Sequence, residues 1–384
     1  MIKLNDAVVQ SYLRAKDIPV KGQNEAFANS IAYTDNGSHF GVSFSDGSLY
    51  LYNAVEGTRM NIFRQDSLGI GAFKFTHDSY GRSIVAAPAR LPGVVPEKNT
   101  IGRLYLRSTV EEKILRFFSG HTGEVHSVDI HPGTDLVLSC GSDGLTMLWD
   151  FRQPKAVGVA SPYGAATAQQ QGRVKLPRTC AVFDPKTVAF AVAVVGHQGR
   201  KVVKTYDVRK YSSGPFEEYH DAAFQSCPGG WDSIRYSPSG DELLLTPELQ
   251  QSRVPPPHFL CDITFGRNFN VKKVLKEHLT PMLKADEQQF GDYFAPMRRS
   301  PQASFSPDGR YVVTGAIDRS IRVFATEGMA KETAQWGPDA HVYTLPSSPS
   351  SKVYPIGPIA WSPTTELVTS ACSRLVMWLP QQQS

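Results

Sequence analysis

His121, Ser139 and Asp143 are the residue types of a nucleophilic triad, in which serine attacks, histidine takes its proton and a carboxylate orients the imidazole. The same three types, followed by Trp149, also suit a structural role, in which hydrogen bonds satisfy a buried indole N–H and a buried imidazole. Other chemistry finds no foothold. The sequence has no Gly-Lys dipeptide and hence no P-loop, no HExxH, no GxSxG and no dinucleotide-binding glycine fingerprint. Its 10 histidines are scattered, with none at metal-ligand spacing. No catalytic residue, metal or other cofactor is therefore expected, and the chain is expected not to be an enzyme.

The elements that must position these residues show themselves as a repeat. An apolar or aromatic residue, a spacer and a turn-former recur seven times, starting at Tyr33 (YTDNG), Phe75 (FTHDS), Ile130 (IHPGT), Phe183 (FDPKT), Tyr236 (YSPSG), Phe305 (FSPDG) and Trp361 (WSPTT). Proline pre-sets φ and glycine accepts positive φ, which is hairpin chemistry at a strand end. Each copy is followed by a short alternating strand with an aromatic residue in or beside it: SLYLYN to Asn53, RLYLRS to Ser108, LTMLWD to Asp150, VVKTYD to Asp207, PHFLCD to Asp262, SIRVFA to Ala325 and RLVMWL to Leu379. In the compact copies the interval is constant: Tyr33 to Tyr52, Ile130 to Trp149 and Phe305 to Phe324 are each 19 residues apart.

One such unit cannot bury its own faces. Seven stacked radially close a ring with few open edges, so the expected fold is all-β, a single seven-bladed propeller over 1–384. The third unit is the best formed. Gly120-His121 opens it, LVLSCGSDG fills its middle and Trp149-Asp150 closes it, which resembles the hydrogen-bonded tetrad of WD repeats. In that arrangement His121 and Ser139 link Asp143 in the tight turn to Trp149 on the third strand. The spacing of His121, Ser139 and Asp143 is thus that of the repeat, which sets the triad reading well below the structural one. The last unit stops on its third strand, at Trp378-Leu379-Pro380, and the segment from Lys3 to Lys16 has no partner in sequence. The simplest closure takes 1–16 as a latch that supplies the outer strand of the last blade.

The copies start 42 to 69 residues apart, against about 40–45 for a plain WD unit, so several carry insertions, near 88–99, 161–172, 246–257, 267–300 and 326–358. Segments 88–99 and 246–257 fall between second and third strands. Segments 161–172, 284–300 and 345–358 fall between blades. The extra length is expected to crowd onto one face, and that face to receive a partner. From Arg173 to Lys210 there are nine Lys or Arg and two Asp. Arg173, Lys175, Arg178, Arg200 and Lys201, with Arg298 and Arg299, are therefore candidates for a rim that receives an acidic or phosphorylated peptide. A solvated charged face accounts for most of these residues equally simply.

The formal charge of +4 and pI near 8.7 are mildly basic and demand no nucleic acid. The five cysteines, at 140, 180, 227, 261 and 372, are odd in number with no CxxC, which favours a reducing compartment. Residues from Met1 to Lys16 lack the apolar core of a signal peptide, and the longest apolar run, Thr187 to Gly196, is too short to cross a bilayer. Asn36-Gly37-Ser38 fits a glycosylation sequon but is better explained as a turn between two strands.

With ends and blades in place, the chain resembles the WD repeat protein 82 family. The resemblance is carried by Lys3-Leu4, Asp6, Val8, Ser11-Tyr12 and Ala15-Lys16, by Leu51-Tyr52 with Glu56-Gly57, and by Phe75-Thr76-His77. Tyr206-Asp207-Val208-Arg209 leading to Gly214-Pro215-Phe216, and Ala371-Cys372-Ser373 before Trp378-Leu379-Pro380, complete it. The resemblance implies a nuclear, non-catalytic scaffold, a monomer within a larger complex. Its implied partners are SET-domain methyltransferase subunits acting on histone H3 lysine 4, the protein phosphatase 1 targeting subunit of a transcription-termination complex, and the phosphorylated tail of RNA polymerase II. No direct nucleic-acid or membrane contact is implied. An alternative rests on Trp149, Asp150 and Arg152, which resemble the WDxR box of cullin–RING ubiquitin ligase substrate receptors, with Tyr206-Asp207-Val208-Arg209 as a weaker copy.

Overall fold

The computed structural model describes residues 2–19, 26–63, 68–89, 91, 100, 102–163, 176–196, 199–227, 229–249, 256–264, 269–275, 302–316, 320–327, 343–345, 357–372 and 374–381. Among them, seven four-stranded antiparallel sheets form the blades of a β-propeller. The strands of each blade are a to d from the channel outward. Blades 1 to 6 span 28–63, 73–119, 125–160, 180–219, 231–275 and 303–345, and blade 7 takes strands a to c from 359–380. Each of the seven turn motifs joins an a strand to its b strand, and each alternating aromatic strand is a c strand.

The turn motifs work as their residue types dictate. Gly37, Gly240 and Gly309 end theirs at φ 68°, 76° and 72°. Thr187 occupies the same place in the fourth motif at φ 67°, a left-handed conformation that a β-branched residue adopts only at a cost.

The ring closes through the N-terminus. Strand d of blade 7 is Tyr12–Pro19, antiparallel to Arg374–Pro380 in a register that runs from Tyr12 opposite Pro380 to Pro19 opposite Arg374. The latch therefore lies later than the expected 1–16. Asp6–Gln10 is a short helix instead of strand, because Asn5 caps it by accepting from the Val8 N–H at 2.9 Å. That turn of helix sends Leu4 and Val9 into the apolar layer between blades 6 and 7, against Val313, Val323 and Trp378. Similar layers fill the other blade interfaces. Between blades 4 and 5, for instance, Val203, Phe224, Trp231 and Phe259 pack together.

The a–b turns and c–d connections share one face of the ring, here the a–b face; the b–c turns and blade-to-blade connections share the other, the b–c face. The expected crowding onto one face is corrected by this topology. Segments 88–99, 161–172, 246–257, 284–300 and 345–358 do join strands on the b–c face. The segment 326–342, however, joins Ile321–Ala325 to Tyr343–Leu345 within blade 6, a c–d connection that leaves from the a–b face. Most residues of these segments lie outside the described ones. Among the described residues no helix is long and apolar enough to cross a membrane.

Candidate functional site

The third blade brings His121, Ser139, Asp143 and Trp149 together. His121 sits where the chain enters strand a, Ser139 lies on Leu136–Gly141, Asp143 in the b–c turn and Trp149 on Thr146–Asp150. His121 Nδ1 is 3.0 Å from both Asp143 oxygens, His121 Nε2 is 2.8 Å from Ser139 Oγ, and Trp149 Nε1 donates to Ser139 Oγ at 2.8 Å. Donor and acceptor chemistry fixes the polarity. A carboxylate only accepts, so Nδ1–H donates to Asp143. With Nδ1 protonated, the neutral imidazole keeps its lone pair at Nε2, which accepts from the Ser139 O–H while Ser139 Oγ accepts from the indole. Burial would raise the Asp143 carboxyl, but the hydrogen bond from His121, with those from the Thr122 and Leu145 N–H groups, holds it below the usual range. Ser139 is buried with its oxygen used on both sides. The set can hold three strands and a turn in register, and offers no reachable nucleophile.

Blade 7 carries an abbreviated copy that the residue pattern did not disclose. Trp378 Nε1 donates to Ser370 Oγ at 2.9 Å. Ser139 stands two residues beyond the cross-strand partner of Trp149, and Ser370 two beyond that of Trp378, so both serines meet their indoles on the same diagonal. Blades 1 and 4 replace the tether with stacked rings: Phe40 on Tyr52 at 5.0 Å and Phe190 on Tyr206 at 5.1 Å, each a directly opposed pair. Buried His258 joins blades 5 and 6, its Nδ1 3.0 Å from Thr246 Oγ1 and its Nε2 2.7 Å from Thr314 Oγ1. Burial pushes that imidazole down to about 4.

The proposed basic rim is reduced by the structure. Arg173, Lys175, Arg298 and Arg299 lie outside the described residues. Arg178 is committed to carboxylates, with Nη1 3.0 Å from Asp232 and Nε 3.5 Å from Glu248. Lys201 is not on the rim: it is 2 % exposed, and its Nζ lies 4.6 Å from the centre of the Trp231 ring. The cause is strand alternation, which puts Lys201 on the same side as Val203, toward blade 5. Burial pushes its amine down to about 8, and its Nζ has no hydrogen-bond partner among the described residues. Arg200 is exposed beside it.

Trp149, Asp150 and Arg152 lie at the end of the third blade's c strand, on the a–b face. Arg152 turns back on Asp150, with Nη2 to Oδ2 at 2.5 Å and Nε to Oδ1 at 2.9 Å, while its side chain stays 81 % exposed. The Arg152 side chain and its backbone N–H hold the Asp150 carboxyl at about 2. Asp207 and Arg209 repeat this more loosely, at 3.5 Å. Local charge satisfaction accounts for the geometry of both.

Seven radial four-stranded sheets, one of them with a Gly-His to Trp-Asp hydrogen-bonded core, define a WD-repeat β-propeller. The WD domain, G-beta repeat family model matches residues 112–150 and 302–324. The fold is that of the Cps50 (Swd1) β-propeller domain of Myceliophteria thermophila, with a TM-score of 0.65, 13% identity and coverage of 96% of this chain and 100% of that one. Within this class, the resemblance to the WD repeat protein 82 family is borne out. The chain is 25% identical to WD repeat-containing protein 82 of Drosophila melanogaster over 382 residues, 100% of this chain and 98% of the relative. It is 24% identical to the Set1 complex component swd2 of Schizosaccharomyces pombe, covering 91% of each, and 22% identical to the COMPASS component SWD2 of Saccharomyces cerevisiae, covering 84% and 83%.

Proposed function

We propose that this chain is a non-catalytic scaffold subunit of a nuclear complex of the Set1/COMPASS kind, which the family resemblance ties to methylation of histone H3 lysine 4. In the same reading it serves that complex, a protein phosphatase 1 termination complex, or both, and docks on the phosphorylated tail of RNA polymerase II. One observation carries the proposal: the likeness to WD repeat-containing protein 82 runs from end to end, latch and last blade included. Two relatives named as Set1 or COMPASS components share most of that extent. The tetrad supports a non-catalytic role, because its serine and histidine are spent on internal hydrogen bonds. Exposed Arg200 supports an acidic contact on the b–c face.

Affinity purification from nuclear extract with mass spectrometry tests the reading. Methyltransferase or phosphatase subunits are expected among the captured proteins. Recovery of a cullin adaptor with neither of those would overturn it in favour of the ligase-receptor alternative. The exposed guanidinium of Arg152 is the observation that keeps this second reading in view. Arg152→Ala separates the two, since only a ligase receptor would lose its main partner.

A further inference from the structure

The a strands leave a cavity of about 540 Å³ along the ring axis, a size that accommodates a small ligand. Asp35, Pro132 and Pro363, from three a–b turns, line it, so it reaches the a–b face. Small side chains such as Ser30, Ala72, Ser127, Ala181 and Ala360 make up much of the wall. The charged residues on it are Asp35, Lys74, Asp129, Asp232 and Arg235, with the imidazole of His126.

Each carboxylate on this wall already has a basic partner. Asp35 Oδ2 is 2.7 Å from His77 Nδ1, Asp232 Oδ1 is 3.0 Å from Arg178, and Asp129 Oδ1 is 2.9 Å from Lys74 Nζ. The other oxygen of Asp129 accepts from the Phe183 N–H at 2.9 Å. His126 Nε2 is 2.6 Å from the Thr179 carbonyl oxygen. Of the wall's lysine and arginine, Lys74 and Arg235, it is Arg235 that has no carboxylate within ion-pair distance among the described residues. Its hydrogen bond runs from Nη2 to the neutral Gln302 Oε1 at 3.3 Å. Burial lowers the guanidinium pKa, and the charge of Asp129 opposes that.

An arginine has five N–H donors in a planar fork matched to tetrahedral oxyanions, and a lysine has three. One donor of Arg235 is used on Gln302 and one of Lys74 on Asp129. The remaining donors, with the Ser233 hydroxyl two residues before Arg235 on the same strand, belong to the lining of one cavity. We infer that the axial channel is a binding site for a compact, multiply charged oxyanion of the phosphate class, held by the Arg235 guanidinium, with Lys74 on the same cavity wall. Asp129 opposes that ligand and limits its affinity.

Pyrophosphate is the probe, titrated calorimetrically into the full chain at low ionic strength. Saturable one-to-one binding is expected. Arg235→Gln should weaken it at least tenfold, and Lys113→Gln, which alters an exposed pair with Glu111, should leave it unchanged. Asp129→Asn keeps an oxygen for the Phe183 N–H and removes the opposing charge, so it should tighten binding several-fold. That variant decides the matter even if Arg235→Gln does not fold. Absence of pyrophosphate binding, equal binding by Arg235→Gln and Lys113→Gln, or weaker binding by Asp129→Asn overturns the inference.

Discussion

Removing residues 1–19 deletes strand d of blade 7 together with the helix that precedes it. Leu4, Val9 and Tyr12 are 0 %, 1 % and 2 % exposed. Full burial of each such side chain is worth roughly 1.5–3 kcal/mol, so the three together contribute about 6 kcal/mol. Tyr12 adds an edge contact with Trp361, ring centres 5.8 Å apart, and a hydrogen bond from its hydroxyl to the Glu366 carbonyl. Asp17 ties the latch to strand c through Arg374 at 2.6 Å. A native protein holds a net stability of about 5–15 kcal/mol. The deletion therefore removes a large share of it and leaves the c strand as an open edge. Calorimetric melting of the truncated and full chains should show a lost or sharply lowered transition, and a synthetic peptide of residues 1–19 added in trans should restore part of it. Tyr12→Ala should be milder, costing about 3–5 kcal/mol as a large-to-small change in a packed layer. Identical melting of the truncated and full chains would refute the latch.

His121→Ala leaves the buried Asp143 charge without its imidazole, and should cost about 3–5 kcal/mol in denaturant titration while partner capture from nuclear extract persists. His258 gives a pH signature of known sign. Its folded value near 4 lies below the ordinary 6.5, so its contribution is fully present above pH 6.5 and is lost as pH falls toward 4. Between pH 7 and 4.5 that amounts to roughly 2 kcal/mol at 1.36 kcal/mol per unit, and the stability of His258→Gln should fall by about that much less than wild type over the same range. His77 should act in the opposite direction. Burial opposes its charge, but the Asp35 carboxylate at 2.7 Å and the His131 and Thr134 carbonyls raise its pKa. Its stabilisation of the a–b turns should hold below pH 6.5 and disappear as pH rises through that raised value. Two-dimensional NMR of the imidazole protons checks this, and an unshifted His77 titration would contradict it. Gly102→Ala should destabilise blade 2, since an added Cβ would lie 2.1 Å from the His121 carbonyl oxygen, a backbone atom with little room to yield.

Features set by short stretches of chain were legible in the residues themselves. The seven turn motifs and seven c strands depend on Pro, Gly and period-two alternation within a few residues. His121, Ser139, Asp143 and Trp149 could be grouped because one blade contains all four at the spacing of the repeat. The abbreviated copy at Ser370 and Trp378 was less visible, because a shorter b–c turn changes the spacing while the cross-strand diagonal stays the same. Closure of the ring decided the rest. Strand alternation turned Lys201 inward onto Trp231, and the neighbouring blade supplied the carboxylates that occupy Arg178. Asn5 capped a helix within the segment that ring closure alone suggested was strand. Lys74, Asp129 and Arg235 come from three different blades, and only the closed ring brings them to one channel. The sequence by itself thus determined the blades, because hairpins are local. Which charges are spent and which remain available was decided by the tertiary structure, because burial and ion pairing depend on residues far apart in the chain.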